Sequence, residues 1–248
     1  MTLEDITPDV PLAPRVRTLA TVRTGGVSTN GYASLNLALH VGDAPEAVAR
    51  NRRYLRNALA LPWEPLWMSQ VHGTRVIHAK EAPVNNDVPV ADAAVTKVPG
   101  QVLAVLTADC LPVVVAARDG RAVGVAHAGW RGIAAGVLEA AVNAMGVPAG
   151  DLAAWIGPAI SAACYEVDGT VRTAFADVPG AGWFFTPARD EGHWYCDLPA
   201  LAEARLRDLG VGSVEQSGLC TYSEPDRFYS YRRDGETGRF ATLAWIVP

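Results

Sequence analysis

The chain has 248 residues, half of them hydrophobic, with a formal net charge of -5. That length supports one large domain or two small ones, and the apolar content is ample for a core. No dense Lys/Arg run is present, which excludes the electrostatic footprint of a nucleic-acid binder. A small-molecule substrate is the expectation.

Residues 1–14 carry Glu4, Asp5 and several prolines and lack the basic start and apolar stretch of a secretory leader. They are expected to form a flexible N-terminal segment. No stretch approaches the roughly 20 apolar residues of a membrane span, so a cytoplasmic protein is expected. A helix is predicted from Asp43 as N-cap, with Pro45 in its first turn, Glu46 completing a capping box and Val48, Leu55 and Leu59 at helical spacing. Leu66–Val71 and Thr74–Ala79 read as strands that leave His72 at a turn. Ala82–Pro89 reads as a loop too short to separate domains, so one domain is expected. Leu103–Thr107, Pro112–Ala117 and Arg121–Ala126 read as short strands. A helix follows over Ile133–Met145, stopped by Gly146, and another over Leu198–Leu209, stopped by Gly210. Phe240–Val247 reads as a last strand. Strands and helices come in blocks without regular alternation, which predicts an α+β domain whose mixed or antiparallel strands are covered by helices.

The sequence Arg118-Asp119-Gly120-Arg121 has the Asp-Gly signature of a two-residue hairpin. In that register Pro112 faces His127 and Cys110 faces Gly129. A thiol and an imidazole distant in sequence therefore meet at the open end of one hairpin. Such a pair suits a metal, although an isolated Cys or His is more often a packed residue. His72 cannot be brought to them by spacing.

Three blocks surround these residues: Ser69-Gln70-Val71-His72-Gly73, Thr107-Ala108-Asp109-Cys110-Leu111-Pro112-Val113 and His127-Ala128-Gly129-Trp130-Arg131-Gly132. They resemble the YfiH-type laccase-domain family. Further matches are Arg23-Thr24-Gly25-Gly26-Val27-Ser28, Ser34-Leu35-Asn36-Leu37, His40-Val41-Gly42-Asp43, Ile156-Gly157-Pro158, Cys164-Tyr165-Glu166-Val167 and Ser230-Tyr231-Arg232-Arg233-Asp234-Gly235. The resemblance implies a single domain with one zinc held by His72, Cys110 and His127. It also implies purine nucleoside phosphorylase activity, with adenosine deaminase and methylthioadenosine phosphorylase activities, inorganic phosphate serving as co-substrate. Three protein ligands leave a coordination position open, the mark of catalytic rather than structural zinc. Asp92 in Ala91-Asp92-Ala93 matches an Asp-Ala motif of the family, but Val90 stands where many members carry an acid.

A phosphorolytic site must also hold an anion. Arg23 and Arg131 are candidates because a guanidinium binds phosphate through two parallel bonds; a surface ion pair is the alternative for each. Asn36 is a candidate for ribose or base, or for holding a turn, and Gln70 for supporting the neighbouring ligand. Asp109 is a secondary candidate for orienting a ligand or for acid–base work. Cys164, Cys196 and Cys220 read as buried structural thiols, and His78 and His193 as bystanders. Rival readings are a peptidoglycan-editing hydrolase, a non-enzymatic zinc module and a copper polyphenol oxidase. Five histidines in total, none in a His-x-His pair, disfavour the last. A monomer without nucleic-acid or membrane partners is the expectation.

Overall fold

The computed structural model describes residues 3–81 and 88–248. Two sheets stack face to face with helices on their outer sides. The larger is six-stranded, in the order Ser213–Gln216, Leu152–Ile156, Leu111–Ala117, Val123–Ala128, Ala93–Thr96 and Val76–His78. Its two outermost pairings are parallel and the inner ones antiparallel. The second sheet is antiparallel throughout, in the order Asp5–Ile6, Val16–Thr21, Phe240–Ile246, Leu103–Thr107. A small antiparallel sheet of Phe185–Pro187, His193–Cys196 and Glu166–Asp168 completes the α+β domain.

Strand periodicity builds the layers. Along Leu111–Ala117, Val113 and Val115 share a core with Leu138 and Leu201 of the helices Val137–Ala144 and Leu198–Asp208, whereas Val114 and Ala116 face the second sheet. Along Phe240–Ile246, Phe240 and Ala244 point into the space between the sheets. Ala241, Leu243 and Trp245 point outward to Leu35, Leu37 and Leu55. Both faces of these strands are covered, so their sequences are continuous apolar runs rather than alternating ones.

Several predicted boundaries shift. The first helix is Pro45–Ala58, with Ala44 as N-cap. The carboxylate of Asp43 is drawn elsewhere: Oδ2 accepts bonds from Ser28 Oγ at 2.6 Å and Asn36 Nδ2 at 2.9 Å. The second predicted helix is two helices, Trp130–Ala135 and Val137–Ala144, parted at Gly136, whose φ of +99° only glycine adopts at no cost. Residues 66–71 form no continuous strand; Leu66 and Ser69 make single bridges to Leu103 and Val90. The Thr74–Ala79 strand is confined to Val76–His78. Within the first fourteen residues, Asp5–Ile6 pairs with Ala20 and Thr21, and Ala13 is buried, which ties the segment to the sheet. Most of the expected loop over Ala82–Pro89, namely 82–87, lies outside the described residues.

Candidate metal centre

The hairpin aligns Pro112 with His127 and Leu111 with Ala128, the expected register. Its loop is longer than two residues: Ala117 N donates to Ala122 O, and Arg118 N leaves the ladder for Asp151 O. Both strands lose equal length at the turn, so the register is unchanged. Cys110 stands just ahead of the strand Leu111–Ala117, across from Gly129.

His72 arrives through a third strand. Ala93–Thr96 pairs with Val123–Ala128, Ala93 opposite Ala126, and His127 N donates to Asp92 O at 2.7 Å. The fully buried Asp92 carboxylate thereby lies against His127, accepting from its Nδ1 at 2.9 Å. The same carboxylate accepts from the backbone N–H groups of Val71 (3.2 Å), His72 (2.8 Å) and Gly73 (2.7 Å). Successive amides wrapped round an anion form a nest, here bent by a φ of +60° at His72. One carboxylate thus fixes the tautomer of one imidazole and the turn that carries the other.

The ligand atoms of His72, Cys110 and His127 lie within 4.8 Å of one another. Cys110 Sγ is 3.8 Å from His72 Nε2, and the two rings meet edge to face at 4.7 Å. Bonds of about 2.0–2.3 Å to a tetrahedral ion space its ligands about 3.5 Å apart, so this donor set could hold a metal with small adjustments. With Nδ1–H donated to Asp92, His127 keeps Nε2 as the nitrogen for the ion. Burial opposes charge on the Cys110 thiol, but hydrogen bonding and charge from His127 and His72 overcome it and hold its pKa down to about 6. Burial likewise opposes charge on His127, yet Asp92 and Cys110 raise its pKa to about 9.

Gly129 makes the cluster possible. A Cβ there would lie 2.7 Å from His72 Cδ2 and 3.0 Å from Cys110 Sγ. Its φ of -70° is open to any residue, so the constraint is purely steric. Gly129→Ala is expected to fold normally but to weaken metal affinity about 10- to 100-fold, the equivalent of about 1–3 kcal/mol of overpacking. Competitive metal titration with a chromophoric chelator checks this; an unchanged affinity would mean the triad does not close as described.

The other predicted residues divide. Arg131 is exposed, its guanidinium 4.3 Å from the Trp130 ring. Arg23 directs Nε to Ala33 O and Nη1 to Pro225 O, over the Tyr229 ring, an internal brace. Asn36 is buried and its amide is fully used. Nδ2 donates to Ala38 O and Asp43, and Oδ1 accepts from Ala38 N and Arg239 N. Of its two readings, a substrate contact or the holding of a turn, these bonds match the second. Gln70 closes a two-way pair with the backbone of Leu106 at 2.8 Å each way, steadying the segment before His72. Asp109, at φ +95°, turns away from Cys110 and accepts from Thr221 Oγ1 and Arg232 N, both at 2.7 Å.

Of the thiols read as buried, only Cys196 is; Cys164 and Cys220 are partly exposed. Burial pushes the Cys220 thiol up, but bonds from Ser161 and Ser223 bring it down to about 7. His193, read as a bystander, pairs its Nδ1 with Glu166 Oε1 at 2.9 Å. Two groups near the triad stood outside the named candidate residues, although the sequence reads the stretch 232–239, which ends at Arg239, as either a cover over the site or a surface turn. His40 has its pKa lowered by burial and by Arg239, Arg52 and His127. Arg239 has its pKa lowered by burial, against the charges of Cys110 and Asp109. Their only sequence signal was membership of quoted blocks or of the glycine-rich stretch before the last strand.

Comparison with known proteins agrees with this architecture. A family model described as multi-copper polyphenol oxidoreductase laccase matches residues 17–247. A purine nucleoside phosphorylase of Pseudomonas aeruginosa is 46% identical, over 97% of this chain and 98% of that one. Purine nucleoside phosphorylase YfiH of Escherichia coli is 42% identical, over 98% of each. Among solved structures, a Neisseria meningitidis protein of the DUF152 family superposes with a TM-score of 0.93 at 46% identity, covering 98% of this chain and 99% of that one. YlmD from Geobacillus stearothermophilus superposes with a TM-score of 0.89 at 30% identity, covering 98% and 96%. With its fold and nearly its whole length shared in this way, the chain belongs to the YfiH-type laccase-domain family.

Proposed function

We propose that this protein is a zinc-dependent purine nucleoside phosphorylase, with accompanying adenosine deaminase and methylthioadenosine phosphorylase activities, working in the cytoplasm as a monomer. The observation that carries the reading is the His72–Cys110–His127 cluster, built around one buried carboxylate and reachable through the exposed His72. Two imidazoles and a thiolate suit a borderline-soft ion, and three ligands leave a position for substrate. The names of the relatives supply the reaction class.

In phosphorolysis an oxygen of phosphate bonds to C1′ of the ribose as the C1′–N9 bond breaks. The bonding electrons pass to the purine, which takes up a proton and leaves as the free base; ribose 1-phosphate remains. A zinc ion, when bound, supplies Lewis-acid stabilisation of developing negative charge. The chain's own residues do the rest. Asp92 keeps both imidazoles in place, Gly129 gives them room, and Arg131 offers a guanidinium to the anion. Copper oxidase chemistry, named in the family's description, fits poorly: the whole chain has five histidines. Among the described residues no helix is long and apolar enough to cross a membrane.

The test is product identification by chromatography after incubation with adenosine, inosine or methylthioadenosine, with and without phosphate. Free base formed only with phosphate is expected from all three, together with phosphate-independent inosine from adenosine. No turnover of any nucleoside would overturn the proposal and turn attention to cell-wall precursors.

A further inference from the structure

A cleft of about 570 Å³ is lined by Trp130, Arg131, Tyr165, Glu166, His193 and Arg232, among others. It adjoins the metal centre through the chain itself, because Gly129, packed on His72 and Cys110, is followed at once by Trp130 and Arg131. Tyr165 marks the same junction: Cys110 acts on its hydroxyl electrostatically, and so do Arg131 and Arg232.

The two arginines are presented alike. Arg131 lies over the Trp130 ring at 4.3 Å and Arg232 over the Tyr165 ring at 5.2 Å. A ring beneath a guanidinium holds its plane while leaving N–H edges free to donate. Arg232 spends one of them on the backbone carbonyl of Glu166. Among the described residues neither arginine has a carboxylate partner. The acids of the cleft are committed elsewhere. Glu166 holds His193 Nδ1, and Asp168 Oδ1 accepts from Thr170 N at 2.8 Å. With Nδ1–H given to Glu166, His193 keeps Nε2 as an acceptor, suited to the P–OH of a protonated phosphate. Two unpaired cations in one concave site beside the reaction centre call for an anion with several acceptor oxygens.

We infer that this cleft is the inorganic phosphate subsite, with Arg131 and Arg232 as a paired clamp and the Glu166-held His193 as a third contact. The choice of phosphate as the anion rests on the phosphorylase reading.

The experiment uses the full-length, metal-loaded protein, with inorganic phosphate as the probe. Arg131→Gln and Arg232→Gln are each expected to raise both the calorimetric Kd for phosphate and the KM for phosphate in inosine cleavage by about tenfold or more. Metal content and the KM for inosine at saturating phosphate should stay within about twofold of the parent. Lysine at either position keeps the charge but loses the fork, so it should restore affinity only in part. A parent that binds phosphate with this arginine dependence yet cleaves no nucleoside would support the cleft and refute the phosphorylase reading. A parent that cleaves inosine, with both Gln variants keeping the parent's Kd and KM for phosphate, would overturn the cleft and leave that reading standing. Absence of phosphate binding by the parent would also overturn it.

Discussion

Asp92→Asn is expected to cost about 3 kcal/mol of stability, lower the melting temperature by roughly 10 °C and weaken zinc binding about 10- to 100-fold. The substitution barely changes volume, so the effect is electrical and directional. The carboxylate receives only donors: His127 Nδ1 and the amides of Val71, His72 and Gly73. An Asn amide turns one acceptor into a donor that must face one of these N–H groups in a fully buried site. The pH dependence carries a further signature. Burial pushes the pKa of Asp92 up, but the bonds from His127 and the amides of Gly73 and Val71 prevail and hold it below its ordinary 3.8. A depressed carboxylate contributes stability that is present above its unfolded pKa and lost as pH falls through the folded one. The gap between parent and Asn variant should therefore be full at neutral pH and narrow below about pH 3.8. Thermal melts across pH, paired with metal titration, give both readouts. A variant with the parent's melting temperature and zinc affinity would show that Asp92 does not organise the centre.

The second large effect concerns Cys110. Cys110→Ala and His72→Ala should each lose the metal and lower kcat/KM for inosine by at least about a thousandfold. A low thiol pKa does not separate a metal ligand from a nucleophile, because both need thiolate. The chain Cys110, His127, Asp92 even has the order of a thiol-hydrolase triad. What distinguishes the readings is His72. A nucleophile needs one base, and His127 would suffice. Yet the turn carrying His72 is fastened to the same carboxylate, which places its Nε2 3.8 Å from the sulfur. If Cys110 is a nucleophile, removal of His72 should be mild. As a ligand set, either loss should be equally damaging. Elemental analysis and steady-state kinetics on both variants compare the two.

The legible parts of this fold are those set by local rules. Leu103–Thr107 is a strand with the bounds read from its apolar run, because both its faces are buried. Leu198–Asp208 is a helix stopped as Gly210 predicts, with Asp197 accepting from Ala200 N. The Asp119-Gly120 signal placed the hairpin's centre correctly, and with it the register that joins Cys110 to His127, although the loop is longer than two residues. What local rules miss is the consequence of long-range pairing. Asp92 meets His127 only because Ala93–Thr96 adds to the hairpin's far side, so its role as common anchor left no mark in spacing. Asn36 looked like a ligand-binding amide, but only its surroundings reveal that Ala38, Asp43 and Arg239 use all of it. Arg23 likewise directs two of its donors to carbonyls of separate loops, which spacing does not reveal. His193 shows the converse, since a cleft assembled from several elements brings it to the same lining as Arg131.

The most direct test of the account is inosine cleavage in phosphate by the parent protein stripped of metal with a chelator, then reloaded with one equivalent of zinc, with intact-protein mass spectrometry during turnover. The account predicts that hypoxanthine release vanishes with the metal and returns with zinc, and that Cys110 carries no substrate-derived adduct. Full turnover in demonstrably metal-free protein, or an adduct on Cys110, would contradict it.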